Sequence, residues 1–149
     1  MQSQTVEIIL VEDNEHDADL TIRTLRKENL GNHLIHLEDG EQALDFLFAR
    51  GAYAGRQGQR LPKVILLDIK MPKVDGIEVL RQVRANEETK CIPVVIMTSS
   101  AQEKDLVASY ELGVNSYVVK PVQFEDFQKA VSQLGLYWLL ANKVPDSLQ

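Results

Sequence analysis

An aspartate, an acidic pair and a lysine each follow a short apolar run in this chain. Asp68 follows Val64–Leu67, Glu12 and Asp13 follow Ile8–Val11, and Lys120 follows Tyr117–Val119. Because the carboxyl ends of parallel strands meet at one edge of a sheet, we expect these charged side chains to converge. Three carboxylates and one ammonium group at one edge predict a divalent cation site built around a reactive aspartate.

The three carboxylates need a counter-ion if they share one pocket. Like charges at short range cannot all stay ionised, and a hard divalent cation relieves their repulsion. Mg²⁺ suits this set because it accepts one or two carboxylates, a backbone oxygen and several waters. We predict that Asp13 and Asp68 bind the ion directly and that the main-chain carbonyl of Lys70 adds a third oxygen. Glu12 is expected to act through water.

Asp68 is the candidate nucleophile. A carboxylate can attack phosphorus and form an aspartyl phosphate. Phosphoryl transfer depends mainly on positioning and charge neutralisation, which the cation and the ammonium of Lys120 would supply. The hydroxyl of Thr98, which ends another apolar run, can donate to a phosphoryl oxygen. The backbone N–H groups after Asp68 and after Thr98 can complete the cradle.

Each of these features has an ordinary structural explanation when it occurs alone. An aspartate after a strand is usually a helix cap, an acidic pair is usually solvated, and a Lys-Pro pair is usually a turn. Their joint occurrence at the ends of several apolar runs favours a functional site. The three histidines, His16, His33 and His36, lack metal-ligand spacing and are interpreted as surface or strand residues.

Composition narrows the possible classes of protein. The chain has 149 residues, of which 44% are hydrophobic and 26% charged, so we expect one soluble globular domain. The net charge of −6 argues against nucleic acid as the main partner, since phosphate backbones attract basic patches. The single cysteine excludes an internal disulfide, which fits a reducing compartment. No apolar run reaches about 20 residues, and the amino terminus has no signal-peptide pattern. We therefore expect a cytoplasmic protein that does not enter a membrane.

Strand and helix patterns alternate along the chain. The predicted strands are Glu7–Val11, His33–Leu37, Val64–Leu67, Val94–Thr98 and Ser116–Val119. The predicted helices are Glu15–Glu28, Glu41–Arg50, Gly76–Ala85, a fourth that runs from the capping box Ser100–Glu103 to Leu112 before Gly113, and a fifth from Phe124. Gly31 is the expected stop of the first helix, and residues 51–62 are predicted to form an exposed basic loop.

Five such units predict an α/β fold with helices on both faces of a parallel sheet. Right-handed crossovers favour a doubly wound, flavodoxin-like (βα)₅ sheet with strand order 2-1-3-4-5. We expect residues 6–134 to form this domain and residues 135–149 to form a C-terminal extension.

Four motifs resemble the receiver domain of two-component response regulators. They are the pair Glu12-Asp13, the stretch Asp68–Gly76 with its pattern Asp-x-x-Met-Pro-x-x-Asp-Gly, Thr98-Ser99, and Lys120-Pro121. The resemblance implies Mg²⁺-dependent phosphorylation of Asp68 by a phosphohistidine on a sensor histidine kinase. It also implies a cis peptide bond before Pro121 and a switch in which Thr98 and Tyr117 move together. No turnover of other substrates is implied, so the protein is not expected to be an enzyme.

A narrower resemblance rests on the long loop 51–62 and on Tyr137, Trp138, Val144 and Pro145 near the carboxyl end. These features are similar to the small stand-alone receivers that are paired with bacterial and cyanobacterial phytochromes. The kinase would then be a phytochrome, and the signal would begin with absorbed light.

Docking to other proteins is the expected output, since no residues remain for an output domain. The stretch 134–141 has more apolar surface than one helix face can bury. We predict a homodimer that uses the fourth helix, the fifth strand, the fifth helix and this tail, with contacts at Phe127, Leu134 and Trp138. Alternatively, Trp138 folds back on the fifth helix. The downstream partner is a protein that the sequence does not identify.

Two other functions fit parts of the pattern. A phosphohydrolase of the haloacid dehalogenase type also uses an aspartate nucleophile, but it needs a second aspartate where this chain has Lys70. A receiver-like scaffold that never takes phosphate is the other alternative, and nothing is missing from the pocket to favour it. His16 lies just after the acidic pair, where it can affect the lifetime of a phosphoryl group.

Overall fold

The computed structural model describes residues 6–28, 33–58, 60–69, 71 and 74–133. Within these ranges, five parallel strands form one sheet in the order β2-β1-β3-β4-β5. The strands are β1 (Ile8–Val11), β2 (Leu34–Leu37), β3 (Val64–Asp68), β4 (Val94–Thr98) and β5 (Ser116–Val119). The predicted flavodoxin-like sheet is confirmed.

Helices cover both faces of the sheet. They are α1 (Glu15–Lys27), α2 (Gly40–Leu47), α3 (Gly76–Ala85), α4 (Ala101–Ser109) and α5 (Phe124–Gln133). Apolar residues of α1 and α5 pack in one core cluster, and those of α2, α3 and α4 pack in a second cluster on the opposite face. The predicted helix stop at Gly31 lies outside the described residues.

The apolar runs of the sequence become strands that are buried on both faces. Every residue of β1, β3 and β4 is buried. Along β1, Ile8 and Leu10 join one core cluster, whereas Ile9 and Val11 join the other, as the alternation of a strand requires. Continuous apolar sequence is typical of parallel strands between two helix layers. The first polar residue after each run therefore emerges at the edge of the sheet.

The register of the strands sets the level of the polar residues at this edge. The pairing of β1 with β3 places Glu12 level with Asp68. The pairing of β4 with β5 places Thr98 beside Val119, so Lys120 follows directly. A one-residue slip would turn these side chains to the opposite face. The register therefore decides which groups meet.

Side-chain caps fix where the helices that flank this edge begin. The side chain of Asn14 accepts a hydrogen bond from the Asp17 N–H at 2.9 Å, and that of Ser100 accepts from the Glu103 N–H at 3.2 Å. The cap at Ser100 was predicted. Asp75 caps α3 in the same way. Such caps satisfy N–H groups that have no partner inside the helix.

The second helix ends at Leu47, whereas the sequence predicted Arg50. Ala49 has a φ of 51°, in the left-handed region that commonly terminates a helix. The N–H of Arg50 donates to the carbonyl of Asp45 at 2.9 Å, which turns the chain back toward the helix. The three residues beyond Leu47 therefore belong to a helix-terminating turn.

Residues Gly51–Arg56 form a 3₁₀ helix that is kinked at Tyr53, whose φ of −109° and ψ of 18° are not helical. The sequence predicted a loop here; most of these residues are exposed as expected, but they are not without secondary structure. Packing against Phe46 explains why this segment is structured. The Tyr53 ring packs edge-on against the Phe46 ring with a centroid distance of 5.2 Å, and the Arg56 guanidinium lies 3.6 Å from the Phe46 centroid. This packing depends on an aromatic residue of α2 and is not visible in the composition of the loop.

The fourth helix ends at Ser109 and not at Leu112. Glu111 has a φ of 52° and Gly113 a φ of 69°, so the chain leaves the helix before the predicted stop. Arg84 of α3 donates to the carbonyls of Leu112 at 3.1 Å and Gly113 at 2.8 Å. These bonds satisfy carbonyl groups after the helix and hold the segment that leads into β5.

Candidate functional site

Three carboxylates meet at the carboxyl edge of the sheet. Glu12, Asp13 and Asp68 can each offer one oxygen so that the three oxygens lie within 4.8 Å of one another. Glu12 is 1% exposed and Asp68 5% exposed, whereas Asp13 faces solvent. The convergence predicted from the strand ends is therefore present. Such an oxygen set fits a hard divalent cation, with Asp13 on the open side.

The ammonium group of Lys120 lies among these carboxylates. Its Nζ is 2.8 Å from Glu12 Oε1 and 3.3 Å from Asp68 Oδ1. The backbone N–H of Lys120 donates to the Thr98 carbonyl at 2.8 Å, which ties the end of β5 to the end of β4. The peptide bond between Lys120 and Pro121 is cis. The lysine thus compensates part of the negative charge of the cluster.

Burial and neighbouring charge perturb both ionisable groups at the centre. Burial, together with the adjacent carboxylate of Glu12, raises the pKa of Asp68 to about 7, although Lys120 acts in the opposite direction. Burial alone would lower the pKa of Lys120, but its hydrogen bond with Glu12 and the charge of Asp68 raise it above its usual value. Lys120 therefore stays charged at neutral pH. Asp68 carries a proton for part of the time in the metal-free protein.

Thr98 and Tyr117 lie on adjacent strands, β4 and β5. Thr98 ends β4 and is 2% exposed. Tyr117 is half-buried against the core, and the Lys104 ammonium lies 5.2 Å from the centroid of its ring. Burial raises the pKa of the Tyr117 hydroxyl, with the charge of Asp105 acting in the same direction. Thr98 thus lies at the carboxyl end of its strand, whereas Tyr117 lies nearer the start of β5, beside Ile96. Their joint movement stays a prediction.

The two backbone N–H groups expected to cradle a phosphoryl group already have partners. The Ile69 N–H donates to Oδ1 of Asp68 at 2.9 Å. The Ser99 N–H donates to Oε1 of Glu103 at 3.1 Å, and the Ser99 hydroxyl donates to Oε2 of the same carboxylate at 2.7 Å. An incoming anion would have to compete with a carboxylate for each of these groups.

Three residues that sequence reasoning did not assign to the site contact it. The carbonyl of Glu12 lies 2.7 Å from Nε2 of His36, and Asp17 Oδ2 lies 3.4 Å from Lys120 Nζ. The third is Glu103, whose carboxylate accepts both hydrogen bonds from Ser99. The Asn14 cap offered a signal for Asp17, because it places the first turn of α1 beside the acidic pair. His36 had no such signal, since only the pairing of β1 with β2 brings it there.

Some predicted residues do not enter the described site. Lys70, Leu134 and Trp138 lie outside the described residues. Phe127 is 0% exposed and belongs to the core beneath α5, so its predicted role as a direct dimer contact is wrong. Its apolar period on α5 indicated an inward position, and a fully buried side chain cannot touch a second copy.

A comparison with known protein families assigns the chain to a family. The profile of the response regulator receiver domain matches residues 8–132. The chain belongs to the response regulator receiver domain family. The match covers all five strands and nearly all of α5, so the acidic cluster lies at the site edge of a complete receiver fold. None of the receiver's described helices is long and apolar enough to cross a membrane.

Two curated relatives match this receiver over nearly its whole length. The probable methanogenesis regulatory protein FilR2 of Methanothrix harundinacea is 42% identical over 138 residues, which cover 93% of this chain and 86% of FilR2. The response regulator Rcp1 of Synechocystis is 40% identical over 138 residues, which cover 93% of this chain and 92% of Rcp1. Both therefore match over most of their own length.

Solved structures of phytochrome response regulators resemble this receiver. The bacteriophytochrome response regulator AtBRR is 50% identical with a TM-score of 0.84, over 91% of this chain and 96% of AtBRR. The phosphorylated cyanobacterial regulator RcpA is 34% identical with a TM-score of 0.70, over 91% and 94% of the two chains. The Mn²⁺-bound form of Rcp1 is 38% identical with a TM-score of 0.68, over 93% and 99%. The fold and family are thus shared with phytochrome-associated regulators.

Proposed function

We propose that Asp68 accepts a phosphoryl group from the phosphohistidine of a sensor histidine kinase and that the modified receiver then docks to a partner protein. The observation that carries this proposal is the position of the Lys120 ammonium, 3.3 Å from Asp68 and in the same cluster as Glu12 and Asp13. A nucleophile, a fixed positive charge and a set of cation ligands then share one edge of the sheet. The reported phosphorylated form of RcpA supports this assignment.

The transfer step balances without a further reactant. One oxygen of the ionised Asp68 carboxylate attacks phosphorus, the P–N bond to the kinase histidine breaks, and the imidazole leaves with the bond's electron pair. Lys120 neutralises charge that develops on the phosphoryl oxygens, and the Thr98 hydroxyl can donate to one of them. Asp68 must be deprotonated for the attack. Because the pKa of Asp68 is raised, this carboxyl group is partly protonated at neutral pH. A cation bound to the carboxylate would favour the ionised, reactive form.

We propose Mg²⁺ as the bound cation, held by Asp13, Asp68 and the main-chain carbonyl of Lys70. Glu12 is expected to act through water, because its Oε1 already binds Lys120 and its Oε2 accepts from the Asn14 N–H at 3.2 Å. The Mn²⁺-bound form of Rcp1 supports a divalent ion in this type of site. Calorimetric titration with Mg²⁺ should give binding that is lost in Asp13→Asn.

Intact-mass measurement after incubation with acetyl phosphate and Mg²⁺ tests the phosphoacceptor. We expect one phosphoryl adduct in the wild-type chain and none in Asp68→Asn. Asp19→Asn is a matched control, since Asp19 is an exposed carboxylate of α1 that pairs with Arg23 at 3.0 Å. An unmodified wild-type chain would favour the scaffold alternative, and an adduct that persists in Asp68→Asn would move the acceptor elsewhere. Hydrolysis of p-nitrophenyl phosphate would favour the phosphohydrolase alternative.

A phytochrome is the kinase that we propose. The support is the similarity to AtBRR, RcpA and Rcp1, which are phytochrome response regulators or their relatives. The test mixes this chain with an autophosphorylated bacteriophytochrome kinase and with a kinase that lacks a chromophore domain. Rapid, light-dependent transfer to Asp68 from the phytochrome alone would support the assignment. Equal rates from both kinases would contradict it.

A homodimer through α4, β5, α5 and the tail 134–141 is a further proposal. Leu106, Tyr110 and Val119 are 47%, 46% and 60% exposed on the described part of this surface. These side chains give apolar area that the buried Phe127 cannot give. Sedimentation of a chain truncated after Leu134 tests the role of the tail, because an unchanged oligomeric mass would reject it.

A further inference from the structure

The carboxylate of Glu103 takes both hydrogen-bond donors of Ser99. The Ser99 N–H donates to Oε1 at 3.1 Å, and the hydroxyl donates to Oε2 at 2.7 Å. Glu103 is only 8% exposed, whereas Ser99 is exposed to solvent. A buried carboxylate with two donors from one residue is a charge-assisted contact. This contact lies one residue beyond Thr98.

The usual capping box would direct this carboxylate elsewhere. In that motif, the glutamate at the third helical position bonds back to the N–H of the capping serine. Ser100 caps α4 as expected by accepting from the Glu103 N–H at 3.2 Å. The glutamate side chain reaches one residue further back, to Ser99. Its carboxylate is thereby brought to the end of β4, toward the candidate site.

Glu103 and the acidic cluster face a common space. An open cavity of about 470 Å³ is lined by Asp13, Ile69 and Glu103, among others. Ile69 follows Asp68 directly, so this cavity borders the end of β3. A phosphoryl group on Asp68 needs donors on the β4 side besides Thr98, and the Ser99 N–H is the next one along the chain.

We propose that Glu103 is an internal competitor for the phosphoryl group, which must displace its carboxylate from Ser99 when Asp68 becomes phosphorylated. This proposal rests on the proposed phosphoacceptor function of Asp68. Two anions cannot share the single N–H of Ser99, and their charges repel at short range. The contact therefore favours the unmodified state. Its free energy subtracts from the stability of the phosphorylated state.

The position of Glu103 also connects the site with α4. Glu103 lies in the first turn of α4, and Leu106, one turn further, is 47% exposed. Release of the carboxylate therefore removes a tether between the β4 end and the first turn of this helix. A change at Asp68 would in this way reach a surface available for docking, through one side chain whose contact differs between the two states.

Beryllofluoride, a stable mimic of the phosphoryl group, gives an equilibrium test in the presence of Mg²⁺. Fluorine NMR of the bound mimic measures its dissociation constant in the wild-type chain, Glu103→Gln and Glu103→Ala. We expect both substitutions to lower this constant about tenfold, the equivalent of one charge-assisted hydrogen bond. Glutamine removes the charge, and alanine excludes a new contact from the substituted side chain as the cause.

Ser100→Ala is the matched control. It removes the cap of α4 and weakens the same helix turn, but it leaves the Ser99 and Glu103 side chains intact. We expect its dissociation constant for beryllofluoride to stay within about twofold of the wild-type value, because fraying of α4 alone does not release the Ser99 N–H. An equal gain in Ser100→Ala would assign the effect to helix fraying and overturn the proposal.

The amide proton of Ser99 supplies a second readout. In the free protein its NMR resonance should move upfield in Glu103→Gln, since the bond to a charged acceptor is lost. With beryllofluoride bound, the wild-type and Glu103→Gln resonances should coincide. A wild-type chain that binds the mimic with the same affinity as both variants overturns this proposal alone. A wild-type chain that binds no mimic and takes no phosphoryl group overturns the proposed function as well.

Discussion

Lys120 lies closer to Glu12 than to Asp68. The distances from its Nζ are 2.8 Å to Glu12 Oε1 and 3.3 Å to Asp68 Oδ1. Glu12 thus holds the lysine across the sheet, and the carbonyl of Glu12 is in turn 2.7 Å from Nε2 of His36. Glu12, which is not expected to bind the cation directly, therefore positions Lys120, the group that would neutralise the phosphoryl charge.

Glu12→Gln should lower the pKa of Asp68 below its wild-type value of about 7. The neighbouring negative charge of Glu12 raises this pKa, so its removal favours the ionised form of Asp68. Carbon NMR of the Asp68 carboxyl group in a metal-free pH titration measures the effect. A midpoint that stays the same or rises would show that Glu12 acts on Asp68 mainly by holding Lys120.

Asp68→Asn should stabilise the metal-free protein at neutral pH by about 1–2 kcal/mol, because it removes a carboxylate whose ionised form is disfavoured by burial and by Glu12, with a discount for solvent screening. The pKa of Asp68 is raised in the folded state from its usual 3.8 to about 7, so the folded state binds this proton more tightly than the unfolded state. Wild-type stability therefore falls as pH rises between these two values, and it stays lower above them.

Urea unfolding at pH 8 and at pH 4, in the presence of a chelator, measures this difference. The advantage of Asp68→Asn should be present at pH 8 and nearly absent at pH 4, where Asp68 is protonated in the folded wild-type protein. Asp19→Asn is again the control and should change little at either pH, because Asp19 is on the exposed surface of α1. A gain of equal size at both pH values would contradict a role for ionisation.

Affinity for Mg²⁺ should fall as pH falls below about 7. A proton and a cation compete for the same Asp68 oxygens, and the raised pKa brings this competition into the neutral range. We expect the dissociation constant to rise roughly tenfold for each pH unit below the pKa of Asp68. Calorimetric titrations at pH 8, 7 and 6 test this dependence. A constant affinity from pH 8 to pH 6 would be incompatible with direct ligation by Asp68.

Gly76→Ala should weaken both the fold and the site. A Cβ atom at this position would lie 2.2 Å from the carbonyl oxygen of Asp68 and 2.8 Å from the Cα of Ile69. Because the obstructing atoms are backbone, the end of β3 must shift, and we expect a loss of roughly 1–3 kcal/mol in unfolding free energy together with weaker Mg²⁺ binding. Thermal unfolding and calorimetry measure the two effects.

Gly55→Ala is the control for Gly76→Ala. No atom of the described residues lies within 4 Å of a Cβ built at Gly55, and the residue is exposed in the 3₁₀ helix. We expect a change in unfolding free energy within about 0.5 kcal/mol and unchanged Mg²⁺ binding. Equal losses in the two variants would show that the glycine content, and not the close approach to Asp68, limits stability.

Residue pattern alone predicted most of the strands and the convergence of the acidic residues. The bounds of β4, β5 and α3 agree with the prediction at both ends. Buried parallel strands are read from short apolar runs, and capping side chains mark where helices begin. The polar residue after each run must then appear at one edge of the sheet, so Glu12, Asp68 and Lys120 were accessible to sequence reasoning.

Contacts between segments that are distant in the sequence could not be predicted from the residue pattern. The 3₁₀ helix over 51–56 depends on packing against Phe46, and the segment from α4 into β5 depends on hydrogen bonds from Arg84. The direction of the Glu103 side chain depends on the geometry between β4 and α4, since a capping box with the same spacing can direct it to either Ser99 or Ser100.

The order of residue types along this chain determined its alternating α/β architecture and the polar groups at the carboxyl edge of its sheet. This follows because burial on two faces and helix capping are local requirements that each segment meets with its own residues. Tertiary structure alone decided how those groups are paired: Lys120 with Glu12, Glu103 with Ser99, and His36 with the Glu12 backbone. Such pairings depend on strand register and helix placement to within an ångström, and spacing in the sequence does not carry that information.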